Sequence, residues 1–125
     1  MQALGRHILL DLRECAPVLD DMEFLKQALR SAAQQSNVDV LGESFYHFSP
    51  QGVSGVVLSS GSHICIHTWP EYGYAAVDIY TYGDSFPPHK AAELLVERLG
   101  ARESSITEVE REEHLASGVS RQQGS

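Results

Sequence analysis

HICIHTWPEYGYAAVDIYTY, His63 to Tyr82, alternates apolar and polar residues in two runs separated by Pro70-Glu71-Tyr72-Gly73. Such alternation signals a half-buried strand, because successive side chains leave a strand on opposite faces. In the first run Ile64 and Ile66 share one face, while His63, Cys65, His67 and Trp69 share the other. In the second, Ala75, Val77 and Ile79 form an apolar face opposite Asp78, Tyr80 and Tyr82. The short Pro/Gly-bearing turn between them predicts a hairpin.

Upstream, Val38–Phe48 and Val53–Leu58 flank the turn signal Ser49-Pro50-Gln51-Gly52 and predict another hairpin. Gly5–Leu12 reads as a first strand, broken at Arg13–Pro17. Asp20 and Asp21 offer N-caps to a helix whose apolar residues, Met22, Leu25, Leu29, Ala32 and Ala33, recur at helical spacing and run out near Asn37. Downstream, Pro87–Leu99 predicts a second helix, with proline in its first turn and Gly100 just past its end. Ser104–Glu110 reads as a last strand.

The order β-α-β-β-β-β-α-β predicts an α+β two-layer sandwich, a mostly antiparallel sheet with both helices on one face. The helices should cover Ile64, Ile66, Val77 and Ile79. His63, Cys65, His67, Asp78, Tyr80 and Tyr82 then lie on the opposite face, as a solvated surface, a partner interface or a site. Residues 1–111 are expected to form a single domain, and 112–125, with few large apolar residues, a mobile tail.

A chain of 125 residues can bury a core without staples. The net charge of −8 argues against nucleic acid, whose backbone needs clustered Lys and Arg, and mildly favours cationic ligands. No apolar run approaches the roughly 18 residues of a membrane span, and no signal-like segment follows Met1, so the expected compartment is the cytoplasm. Two cysteines, Cys15 and Cys65, cannot make a disulfide framework.

Reactive side chains concentrate in SSGSHICIHTWPE, Ser59 to Glu71. His63, Cys65 and His67 are good metal ligands, but residues i and i+4 of a strand lie about 13 Å apart. Zinc–nitrogen bonds of about 2.0–2.1 Å cannot easily span that, so no metal site is expected. A serine-hydrolase elbow, G-x-S-x-G, is absent. A third chemistry is self-processing, in which a serine hydroxyl attacks the preceding carbonyl, elimination turns the serine into dehydroalanine, and this finally becomes a pyruvoyl group at a new N-terminus. That requires a tight turn, for which Gly61 is suited, and an acid/base, for which His67 is a candidate. Spacing alone does not choose among the three.

The segments Leu4-Gly5-Arg6-His7, Tyr46-His47-Phe48, Gly52-Val53-Ser54-Gly55-Val56-Val57, Ser62-His63 and Ile66-His67-Thr68-Trp69-Pro70-Glu71-Tyr72-Gly73-Tyr74-Ala75-Ala76-Val77-Asp78 resemble the small prokaryotic S-adenosylmethionine decarboxylase proenzymes. The resemblance spans roughly Leu4 to Arg111. It implies cleavage between Gly61 and Ser62 into a β chain, residues 1–61, and an α chain, residues 62–125. Ser62 becomes a covalent pyruvoyl cofactor whose ketone forms a Schiff base with the substrate amine. By the same resemblance Ser54 and His67 assist processing, Glu71 belongs to the substrate pocket, and Phe48 stacks on adenine in a neighbouring subunit. The implied assembly is a homodimer of processed αβ protomers, acting on a small cationic amino-acid substrate without nucleic acid or membrane.

Two positions depart from the family. Gly61 stands where it has glutamate. Tyr82 stands where it has the cysteine that protonates the substrate carbon, making Tyr82 the candidate proton donor. Decarboxylation of S-adenosylmethionine for polyamine (spermidine) synthesis is the first expectation. A pyruvoyl-dependent ornithine or arginine decarboxylase, or an uncleaved non-catalytic dimerising subunit, is the alternative.

Overall fold

The structure, a computed structural model, describes residues 4–35, 38–82 and 87–112. Its elements in chain order are β1 (Gly5–Arg13), α1 (Met22–Gln34), β2 (Val40–His47), β3 (Val53–Ser59), β4 (Ser62–Trp69), β5 (Tyr74–Tyr82), α2 (Pro88–Arg98) and β6 (Glu103–Arg111). The expected α+β sandwich and element order are therefore found. The sheet order is β2-β3-β4-β5-β1-β6, and every neighbouring pair is antiparallel. The expected end of the first helix, Asn37, and the tail from residue 113 lie outside the described residues; Glu112 is described at φ 55°.

Asp21 caps α1, its carboxylate accepting from Phe24 N at 3.0 Å. The helix buries Leu25, Ala28, Leu29, Ala32 and Ala33, and α2 buries Ala91, Ala92 and Leu95. These stripes cover Ile8, Leu10 and Leu12 of β1, Ile64 and Ile66 of β4, and Val77 and Ile79 of β5, all at most 1% exposed. Truncating one such side chain, Leu29→Ala for example, costs about 2–5 kcal/mol.

The same alternation leaves His63, Cys65, His67, Asp78, Tyr80 and Tyr82 on the helix-free face. Leu9, Tyr46, Leu58, Trp69 and Val109 share that face and remain substantially exposed. Pro70–Tyr72 forms a 3₁₀ turn closed by Gly73 at φ 62°, a left-handed conformation that favours glycine. Among the described residues no helix is long and apolar enough to cross a membrane.

Candidate active site

Strand β4 carries chemistry at both ends. At its start, Ser60 and Gly61 form a two-residue corner between β3 and β4. Hairpin corners of this length ordinarily rely on positive φ. Here the described positive-φ glycines are Gly52, Gly73 and Gly100, so Gly61 takes part in the tight turn without a positive φ. The corner is closed by a side chain instead. Ser62 N donates to Ser59 Oγ at 3.1 Å, Ser59 Oγ donates to Ser62 O at 2.9 Å, and the two hydroxyl oxygens are 3.0 Å apart. Both serines are buried, at 1% and 0% exposure. Across the ladder, Tyr82 N donates to the Gly61 carbonyl oxygen at 3.1 Å.

On the open face beside this corner, the rings of His63 and Tyr80 stack at 5.4 Å, and His7 meets Tyr80 edge-on at 5.1 Å. Tyr82 packs against Tyr80 at 5.7 Å. Burial, reinforced by the nearby His7, pulls the His63 pKa down against the opposing pull of Asp78, favouring the neutral ring.

At the other end of β4, His67 pairs with Ser54 of β3 in register, and Ser54 Oγ lies 2.7 Å from His67 Nδ1. With Nδ1–H donating to that hydroxyl oxygen, Nε2 faces outward as the unprotonated nitrogen that can accept a proton. The pair borders a cavity of about 310 Å³ that is also lined by Phe48, Trp69 and Glu71. A second hollow of about 260 Å³, lined by Tyr46, Val56 and Cys65, adjoins the same pair. Burial, and then the Asp78 carboxylate, push the Cys65 thiol up, so it holds its proton. Cys65 does share the open face with Tyr82, but it lines the hollow at the His67 end.

The turn carrying Phe48 is pinned from the α1 side. Gly52 N and His47 Nε2 lie 2.8 and 2.9 Å from Asp20 Oδ1, and the Gly52 hydrogen bond foremost holds the Asp20 pKa below its ordinary value. Thr68 Oγ1, on the buried face, accepts from Val53 N at 2.9 Å and donates to Leu19 O at 2.8 Å. Sequence reasoning offered Asp20 only as a helix N-cap, a role that Asp21 takes, and gave none to Thr68 or Ser59. Only for Ser59 was there a signal, a hydroxyl three residues before Ser62 across a two-residue corner.

The structure thus gathers Ser54, His67, Glu71 and Phe48 at one end, and Gly61, Ser62 and Tyr82 at the other. It does not unite the two groups within one chain. Ser62 and His67 are five positions apart on β4, about 16 Å at roughly 3.3 Å per residue, with side chains on opposite faces. The separation that disfavours a metal between His63 and His67 also keeps His67 from its own Ser62.

A family model for S-adenosylmethionine decarboxylase matches residues 6–112. The chain is 44% identical over 112 residues to the S-adenosylmethionine decarboxylase proenzyme of Thermodesulfovibrio yellowstonii, covering 89% of this chain and 83% of that protein. It is 46% identical over 112 residues to the proenzyme of the same name from Clostridium tetani, covering 89% of each. The crystal structure of the adenosylmethionine decarboxylase from Aquifex aeolicus superposes with a TM-score of 0.82 at 35% identity, covering 90% of this chain and 93% of that one.

Proposed function

The chain belongs to the S-adenosylmethionine decarboxylase family, and we propose that it is a self-processing, pyruvoyl-dependent carboxy-lyase that decarboxylates S-adenosylmethionine for spermidine synthesis. The observation that carries this reading is the seating of the bond before Ser62. Its carbonyl oxygen, that of the buried Gly61, accepts from Tyr82 N–H at 3.1 Å. A fixed N–H aimed at that oxygen stabilises the negative charge that develops there when Ser62 Oγ adds to the carbon. The Oγ–C bond forms, the Gly61–Ser62 C–N bond breaks, and an ester replaces the amide. Loss of the Ser62 α-proton then expels the Gly61 carboxylate and separates a β chain, 1–61, from an α chain, 62–125, whose dehydroalanine N-terminus tautomerises to an imine that water hydrolyses to the ketone with release of ammonia.

Because Ser62 Cβ points to the helices, its α-hydrogen tilts toward the open face, where His67 also lies. Within one chain the two are too distant. A homodimer stacked through its open faces, about a twofold axis perpendicular to β4, would bring one chain's His67 to the other's Ser62. The exposed apolar residues of that face, Leu9, Tyr46, Leu58, Trp69 and Val109, support its being covered. His67, oriented by Ser54, is then the base of the elimination. Phe48 and Glu71 of that same chain receive the substrate, the ring against adenine and the carboxylate in the pocket. Tyr82, adjoining Ser62 through its own backbone, donates the proton that completes the product carbon. The pyruvoyl group at residue 62 would supply the electron sink for the departing carboxylate.

Intact-mass analysis of the purified protein tests the processing. Two fragments meeting at Gly61/Ser62, the second blocked at its N-terminus, are expected; a single full-length species after long incubation would leave an uncleaved subunit as the reading. Carbon dioxide release from S-adenosylmethionine, ornithine, arginine and lysine on one preparation then tests the substrate. Tyr82 in place of the family cysteine, packed among Tyr80 and His63, favours a second reading in which the pocket takes ornithine or arginine. Release from those alone would establish it.

A further inference from the structure

We propose that Ser59 is a catalytic residue of self-processing, the relay that carries the Ser62 hydroxyl proton to the Ser62 nitrogen as the peptide bond rearranges. This rests on the reading of Ser62 as the self-cleaving residue. The rearrangement must strip a proton from Ser62 Oγ and deliver one to Ser62 N, and Ser59 Oγ touches both atoms, at 3.0 and 3.1 Å. A serine hydroxyl donates once and accepts twice. Ser59 donates to Ser62 O at 2.9 Å and accepts from Ser62 N, so the bond between the hydroxyls is one in which Ser62 donates. The nucleophile's proton therefore already points at Ser59, and its lone pairs are free to turn toward the Gly61 carbonyl carbon.

The site is shut away from water, with both serines at most 1% exposed, so a neighbouring hydroxyl is the ready acceptor. As Ser62 Oγ bonds to the Gly61 carbon, its proton passes to Ser59 Oγ. As the C–N bond breaks and the nitrogen becomes pyramidal, Ser59 gives its own proton to that nitrogen. One bond forms, one breaks, Ser59 is regenerated, and no oxidation or external reactant is involved. His67 is not needed until the later elimination.

The test follows cleavage of freshly translated full-length chain by intact mass, with and without hydroxylamine, which cuts an ester but not the amide. Wild type, Ser62→Ala, Ser59→Ala and the near-isosteric pair Ser59→Thr and Ser59→Val are compared, with circular dichroism to check folding. Ser59→Ala should slow cleavage roughly a hundredfold without gaining a hydroxylamine-sensitive species, and Ser59→Thr should recover most of the rate. Should Ser59→Ala fail to fold, the Thr/Val difference carries the test, since the two differ only in the hydroxyl. Wild-type rates in Ser59→Ala or Ser59→Val would overturn the relay, as would a slow variant that accumulates ester. Wild type that never cuts at Gly61/Ser62 overturns the self-processing reading itself, a result distinct from either.

Discussion

The two ends of β4 are built to opposite rules. At the Ser62 end the nucleophile and the carbonyl it attacks belong to buried residues and are hydrogen-bonded, the first to Ser59 and the second to Tyr82 N–H. At the His67 end the same strand opens onto cavities, and histidine, carboxylate and aromatic ring face a space large enough for a ligand. A bond that must rearrange once, slowly and without hydrolysis, gains from exclusion of water. Groups that must meet a substrate at each turnover need access. The difference teaches that one chain holds two separated half-sites, which the proposed dimer would join, one copy's buried end to another's open end.

The largest expected effects break that pairing outright. Ser62→Ala should abolish cleavage and leave the fold intact, since it removes one buried hydroxyl; His67→Ala should slow elimination by roughly 10²–10⁴-fold. Co-expressed, the two variants should rescue each other in one direction: the His67→Ala chain, borrowing His67 from its partner, is cut, while the Ser62→Ala chain stays whole. Tagged chains resolved by mass read this directly, and an uncut His67→Ala chain in proven mixed dimers would refute the shared site. Phe48→Ala should raise KM for S-adenosylmethionine roughly 5- to 160-fold through lost stacking of about 1–3 kcal/mol, with cleavage unaffected. An unchanged KM would remove Phe48 from the substrate end.

Tyr82→Cys probes the buried end more gently. Its backbone N–H remains, so processing should persist, and turnover of S-adenosylmethionine should be retained or rise a few-fold. Loss of activity on every amino acid tested would contradict Tyr82 as a stand-in for the cysteine acid.

The smallest effect concerns the support of the open end. The Gly52 hydrogen bond, and then His47, keep the Asp20 pKa low. A pKa lowered by folding stabilises the protein above the ordinary carboxylate value, about 4, and that contribution is lost as pH falls through the folded value. Asp20→Asn should lower Tm slightly at pH 7 and flatten its decline on acidification below about pH 4. An unaltered acid slope in thermal melts would show that the carboxylate does not hold the turn.

Much of this was legible in the chain itself. Alternation in His63–Trp69 and Tyr74–Tyr82 sorted side chains onto the correct faces, because the period of two is local geometry and needs no partner. Helix α1 was legible from its spaced apolar residues and the Asp21 cap for the same reason. Even the distance between Ser62 and His67 follows from rise per residue along one strand. The tight corner at Gly61 was legible, but its closure by the Ser59 side chain was not, because that contact depends on the hydroxyl's position in the folded turn.

By itself, then, the sequence determined the elements, their two faces and the residues able to react. Tertiary structure alone decided that β1 lies between β5 and β6, that Tyr82 N–H reaches the Gly61 carbonyl, and that Asp20 holds the turn bearing Phe48. Ladder register and helix–sheet packing fix such contacts, and they follow from burying the whole core at once; no local pattern encodes which distant amide meets which carbonyl.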